Sequence, residues 1–122
     1  METEIINISK SESKEEIYSK LTEYYKRGKL VAIPTETVYG LSANAMDNEA
    51  VSKIYEAKGR PSDNPLIVHF YEMSQLDNIV DYSDENVKKL IDKFWPGPMT
   101  LILNVKENNG ISKKVTAGLN TL

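Results

Sequence analysis

Two polar segments of this chain carry the residue types that handle anions and small zwitterions. Lys58-Gly59-Arg60 sets an ammonium and a guanidinium on either side of a glycine, and Pro61-Ser62-Asp63-Asn64-Pro65 continues the same segment. In a loop, both cations can converge on one polyphosphate, the arginine binding two oxygens as a fork and the lysine acting as a mobile point charge. Asn64 adds an amide that both donates and accepts, suited to a base or ribose edge. The same cations also suit a helix C-terminus, where the backbone dipole alone favours positive charge. The second segment is Pro34-Thr35-Glu36-Thr37-Val38-Tyr39-Gly40-Leu41-Ser42. Thr35 and Thr37 offer hydroxyls, Glu36 a carboxylate and Tyr39 a phenol, while Gly40 permits close backbone approach. Those groups suit an amino acid. They equally make a turn capped by threonines, with Glu36 in solvent and Tyr39 packed.

His69 is the only histidine and lies in the apolar stretch Leu66–Phe70, on the face opposite Leu66, Val68 and Phe70. Such a residue is either a hydrogen-bonded part of the core or, at a strand end, a ligand for a carboxylate or amine. A lone histidine in a chain without cysteine has no metal-ligand spacing and forms no nucleophilic triad. Gly59, Gly97, Gly110 and Gly118 match neither the dinucleotide fingerprint nor the P-loop pattern. Packing and turn chemistry account for Trp95-Pro96-Gly97-Pro98. Lys88, Lys89, Lys93, Lys113 and Lys114 read most simply as solvated charges, with RNA contact as the other use of such cations.

Alternating helices and strands are expected to position these groups. Glu4 to Ile8 predicts a short edge strand. Ser13 with Glu16 forms a capping-box signature ahead of Ile17, Leu21 and Tyr24, and Gly28 ends that helix. Leu30 to Ile33 predicts a strand buried on both faces. Asp47 caps a second helix with Val51, Ile54 and Tyr55 inward, stopping at Gly59. Leu66 to Phe70 predicts another buried strand. Ser83 or Asp84 opens a third helix with Val87, Leu90, Ile91 and Phe94 on one face, ended by the proline pair. Met99 to Val105 predicts a long strand, and Asn108-Asn109-Gly110 a turn. The pattern is that of an α/β sheet with crossover connections, whose ligands gather beyond the carboxyl ends of strands.

A length of 122 residues predicts a single domain, residues 1–122. Hydrophobic residues make up 40% and charged residues 27%, the balance of a soluble globular chain. A net charge of −3 argues against a nucleic-acid coat and leaves room for a local basic patch. Absence of cysteine rules out disulfides and thiolate metal sites and fits a reducing compartment. The acidic N-terminus lacks the apolar core of a secretory signal, and no apolar run approaches membrane-spanning length. The expectation is a cytoplasmic protein with no membrane partner.

Four blocks carry a specific resemblance: PTETVYGLSANA, KGRPSDNPLIVH, FWPGPMTLIL and VTAGLNT, in that order and spacing. From Gly28 to Leu122 the chain resembles the YrdC-like family, the threonylcarbamoyl-adenylate synthases, with the family block starting near residues 12–28. The resemblance implies an α/β fold with a twisted mixed sheet, flanking helices and a basic concave surface. It implies synthesis of threonylcarbamoyl-AMP from L-threonine, bicarbonate and ATP with release of pyrophosphate, assisted by Mg2+. A tRNA-modifying threonylcarbamoyl transferase complex would take the product onward to tRNA. Lys58 and Arg60 fall on the family's Lys-x-Arg pair, which implies a catalytic phosphate clamp. Asn64 and Thr121 are then implied near ATP, and Thr35, Thr37 and His69 near L-threonine.

The resemblance also sets an expectation about the end of the chain. In the family, the VTAGL block leads into a strand carrying an arginine and then a Ser-x-Asn block, neither of which follows here. The chain is therefore expected to be truncated at its C-terminus, with weak or no synthesis by itself. A structured-RNA-binding module is the alternative class, distinguished by salt-dependent binding that needs neither ATP nor threonine. A hydrogenase-maturation carbamoyltransferase, which embeds such a domain beside zinc-finger-like cysteines, fits poorly because the chain has no cysteine.

Overall fold

A computed structural model describes residues 2–10 and 13–122. The lower bound expected for the family block, Glu12, lies outside the described residues. Among the described residues, three α-helices and one hairpin are joined by loops and two short 3-10 turns, in the order α1 (Lys14–Lys26), β1 (Val31–Pro34), β2 (Tyr39–Ser42), α2 (Asn48–Lys58) and α3 (Glu85–Phe94).

Each helix begins where a short polar side chain can satisfy the first free backbone donors. Ser13 accepts from the Glu16 N–H, Asp47 from Glu49 and Ala50, and Asp84 from Asn86 and Val87. The helix ends are as local. α2 stops at Gly59, whose φ of 57° lies in the left-handed region that a side chain disfavours. α3 stops before Pro96, with the Trp95 N–H closing on Ile91. α1 packs on β1. There the Tyr25 hydroxyl donates to Ser42 Oγ at 2.6 Å, and Ser42 donates onward to the Val31 carbonyl at 2.7 Å.

The sheet is smaller than the apolar runs predict. β1 and β2 pair antiparallel, with Val31 opposite Ser42 and Pro34 opposite Tyr39, and this hairpin is the whole sheet among the described residues. β1 alternates half-buried and exposed residues, so it is covered on one face, not two. Glu4 to Ile8 forms no strand; a short 3-10 turn, Ile8–Lys10, follows it. Leu66–Phe70 and Met99–Val105 form no regular strand, and pairing reaches the second only at its end: Val80 bridges Val105, Thr121 bridges Asn104, and Leu103 and Leu122 exchange both backbone hydrogen bonds at 2.9 Å. Their side chains still alternate. Leu66, Val68 and Phe70 are half-buried while Ile67 and His69 are exposed, and Met99, Leu101, Leu103 and Val105 are half-buried while Ile102 is exposed. The period of two runs through both segments, whereas the backbone pairing is confined to Leu103–Val105 and the Leu66 N–H.

Two small cores hold the chain together. Val51, Tyr55 and Val115 form one, with Leu66, Val68, Ile111 and Leu122 packed on it. Leu76, Ile79 and Val80 form the other, receiving Phe70, Trp95, Leu103, Ile111 and Leu122. Ile111 and Leu122 touch both, so they join the two cores into one layer.

Candidate functional site

The Lys58–Pro65 segment is built on the end of α2. Lys58 is the last residue of that helix, exposed, in the position the helix dipole favours for a cation. Of the two readings open for these cations each holds for one: Lys58 belongs to the helix end and Arg60 to the loop. The left-handed Gly59 turns the chain away, and the Arg60 N–H returns to the Tyr55 carbonyl at 3.0 Å. Arg60 then folds over its own loop, with Nη2 donating to the Pro65 carbonyl at 2.7 Å and Nε to the Asn64 carbonyl at 3.3 Å. Its remaining donors are open to a ligand, so the guanidinium is braced as well as charged. The Asn64 N–H bonds the Pro61 carbonyl at 3.2 Å, and its amide side chain extends from an exposed residue.

Tyr55 fixes this loop from beneath. Its single hydroxyl proton is shared between the Lys114 carbonyl at 2.7 Å and the Asn64 carbonyl at 3.0 Å, and burial, the largest influence, pushes its pKa above the ordinary phenol value. It thus remains a donor at neutral pH. Helical periodicity places Tyr55 inward, and a buried phenol must find acceptors. What the periodicity cannot supply is that Lys114 is one of them. Lys114 is also more than a solvated charge, since its ammonium bonds Ser52 Oγ. Beside it, Ser112 Oγ bonds the Asn48 side chain. The C-terminal segment is thereby pinned along α2.

Thr35 and Thr37 lie in the connection between β1 and β2. Thr35 Oγ1 accepts the backbone N–H groups of Thr37 at 3.4 Å and Val38 at 3.3 Å and donates to the Val38 carbonyl. Its hydroxyl is engaged in the turn, whereas Thr37 is exposed, with its own oxygen 3.5 Å from Thr35 Oγ1. A side chain at Gly40 would meet the Thr35 methyl at 3.3 Å, which is the close approach its type allows. Tyr39 does not pack; it is 77% exposed. His69 is exposed too, which removes the core reading of that residue. Thr121 pairs across an isolated bridge with Asn104.

The structure thus joins Arg60 to the Asn64 backbone and Thr35 to Thr37. Among the described residues, no hydrogen bond or ion pair joins these two groups to each other, to His69 or to Thr121. Backbone and core make the wider connection: the Leu66 N–H bonds the Val115 carbonyl at 3.0 Å, Val68 and Phe70 beside His69 pack on the two cores, and so does Leu122 beside Thr121. Among the described residues, no group of three or more carboxylates and histidines could hold a metal ion, and no helix is long and apolar enough to cross a membrane.

The Sua5/YciO/YrdC family model, described as telomere recombination, matches residues 23–122, and the chain belongs to that family. A threonylcarbamoyl-AMP synthase of Bacillus subtilis (strain 168) is 56% identical over 97 residues, covering 80% of this chain and 28% of that protein. One from Pyrococcus abyssi is 50% identical over 99 residues, covering 81% of this chain and again 28% of the relative. The fold is that of the solved P. abyssi Sua5 complexed with L-threonine, at a TM-score of 0.83 and 45% identity over 92% of this chain and 32% of that one. The chain therefore spans about a third or less of these relatives' length.

Proposed function

We propose that this chain is a single YrdC-like domain whose working form makes threonylcarbamoyl-AMP from L-threonine, bicarbonate and ATP. The observation that carries this reading is the agreement in fold and sequence with the threonine-complexed Sua5 across nearly the whole chain. The reaction asks for little acid–base chemistry. The threonine amine attacks the bicarbonate carbon and water leaves to give a carbamate, a carbamate oxygen attacks the α-phosphorus, and the bond from that phosphorus to the α–β bridging oxygen breaks to release pyrophosphate. What the protein must supply is alignment and stabilisation of the charge that develops on the leaving group. Lys58 and Arg60 are proposed for that charge, Arg60 held in place by the Asn64 and Pro65 carbonyls. Asn64 and Thr121 are proposed for the nucleotide, and Thr35, Thr37 and His69 for L-threonine. Because the Thr35 hydroxyl is engaged by its own turn, Thr37 is the freer ligand and Thr35 shapes the loop that presents it.

Mg2+ would accompany the triphosphate as its counter-ion; the described residues offer no carboxylate cluster to hold it. The product would pass to a threonylcarbamoyl transferase complex acting on tRNA in the cytoplasm. The test is ATP affinity by calorimetry, followed by pyrophosphate release with and without L-threonine and bicarbonate. Lys58→Ala is expected to weaken ATP binding about tenfold, the scale of one charge-assisted contact. Unchanged affinity would overturn the phosphate clamp, and pyrophosphate release indifferent to threonine would overturn the synthase reading.

A further inference from the structure

Arg60 carries its charge without a counter-ion. Among the described residues no carboxylate lies within ion-pair distance of its guanidinium, and only carbonyl oxygens hold it. A cation aimed by carbonyls is only as well placed as those carbonyls are. The Pro65 carbonyl is steadied by the residue after it, whose N–H bonds the Val115 carbonyl at 3.0 Å. The Asn64 carbonyl is steadied by a side chain. A carbonyl has two lone pairs, and this one receives both Arg60 Nε at 3.3 Å and the Tyr55 hydroxyl at 3.0 Å. Tyr55 is 7% exposed, and its ring belongs to the core with Val51 and Val115, so close packing fixes the phenol. Its own carbonyl also receives the Arg60 N–H at 3.0 Å. One buried residue therefore holds the Arg60 backbone directly and the Arg60 side chain through Asn64.

We propose that Tyr55 is the positioning residue of the Arg60 clamp, its hydroxyl holding the Asn64 carbonyl that aims the guanidinium. Tyr55 acts through Asn64 and not on a ligand. The share of its proton taken by the Lys114 carbonyl at 2.7 Å ties the same loop to the segment that runs on to Thr121. The consequence for binding rests on the reading of Arg60 as a phosphate ligand. The coupling from hydroxyl to guanidinium does not, and it is read without any ligand.

The experiment compares the 122-residue chain with Tyr55→Phe, Arg60→Ala, the double variant and Ser52→Ala. Tyr55→Phe keeps the ring in the core, so helix content by circular dichroism should remain that of the parent. Solvent exchange of the Arg60 Nε–H is read by NMR in the free protein, and affinities for ATP and L-threonine by calorimetry. Tyr55→Phe should speed that exchange and weaken ATP binding, each about fivefold, the scale of one hydrogen bond, with threonine affinity unchanged. In the Arg60→Ala background the same substitution should cause no further loss of ATP affinity. Ser52→Ala removes the partner of the Lys114 ammonium and leaves the Tyr55 hydroxyl bonded, so it should bind ATP like the parent. An Nε–H signal indifferent to Tyr55→Phe would overturn the proposal. So would a loss of ATP affinity that persists without Arg60, is matched by Ser52→Ala, or is accompanied by a loss of threonine affinity, since each marks general loosening. A parent chain that binds no ATP would break the clamp reading instead, and the Nε–H signal would still decide whether Tyr55 aims Arg60.

Discussion

α2 and the segment that follows it sit side by side on one core and have opposite characters. From Asp47 to Gly59 each backbone demand is met within reach: a carboxylate caps the first turn, a left-handed glycine closes the last, and Ala50, Val51, Ile54 and Tyr55 are buried. From Leu66 to Phe70 the residues are at least as apolar, yet Ile67 lies open and, among the described residues, the backbone makes one bond, through the Leu66 N–H. A helix satisfies its own hydrogen bonds, whereas a strand depends on another segment for them. Apolar composition alone therefore does not distinguish a finished element from one awaiting its neighbour.

Substitutions can sharpen this contrast. Ile54→Ala is expected to cost about 2–4 kcal/mol in urea unfolding, as for other buried aliphatic side chains. Ile67→Ala should stay within about 0.5 kcal/mol, because little is lost from a side chain already in water. Equal effects at the two positions would mean that the Leu66–Phe70 face is covered in solution. Between these extremes fall the polar supports of α2. Asp47→Ala removes the acceptor for two N–H groups and should cost about 1 kcal/mol. Tyr55→Phe should cost a similar amount, about 1 kcal/mol, with faster amide exchange in the Arg60–Leu66 loop as the sign that its anchor is gone.

The smallest effect concerns the N-terminal segment. Glu4 bonds the Lys20 ammonium and the Tyr24 hydroxyl on α1. The Lys20 contact is the larger cause holding the Glu4 carboxyl below its ordinary value of 4.5, and Tyr24 adds to it. A depressed carboxyl contributes docking that is complete above the ordinary value and is lost as pH falls through the lower folded one. Tyr24 is shifted upward from 10.0, chiefly by its bond to Glu4, so its contribution is complete below that value and lost as pH rises through the higher one. Titration of the Glu4 and Tyr24 resonances should show release at both extremes. Glu4→Gln should abolish the acid-side transition and leave the helices intact.

The helices were legible because their signals are short-range. Ser13, Asp47 and Asp84 as caps, Gly59 as a stop and the proline pair after Trp95 each act within one turn, and the structure keeps all of them. The strands were legible only as alternation. Met99 to Val105 shows its period of two in the pattern of burial, yet pairing requires a partner at the right distance and register, which no local pattern encodes. The candidate site divides in the same way. Lys58, Arg60 and Asn64 stand close together in sequence and were found as a cluster, while the support from Tyr55 to Lys114 spans 59 positions and was not.

By itself, then, the sequence determined the helix boundaries, the types of the residues proposed for phosphate and threonine, and the family to which four ordered blocks belong. Only the tertiary structure decided which polar groups remain available. It placed the Thr35 hydroxyl in its own turn, Arg60 over its own loop and His69 on an exposed face, and it paired the Met99–Val105 segment only at its end. The physical reason is range: caps and turns are settled by neighbours along the chain, while burial, pairing and the satisfaction of a side-chain donor depend on segments that only folding brings together.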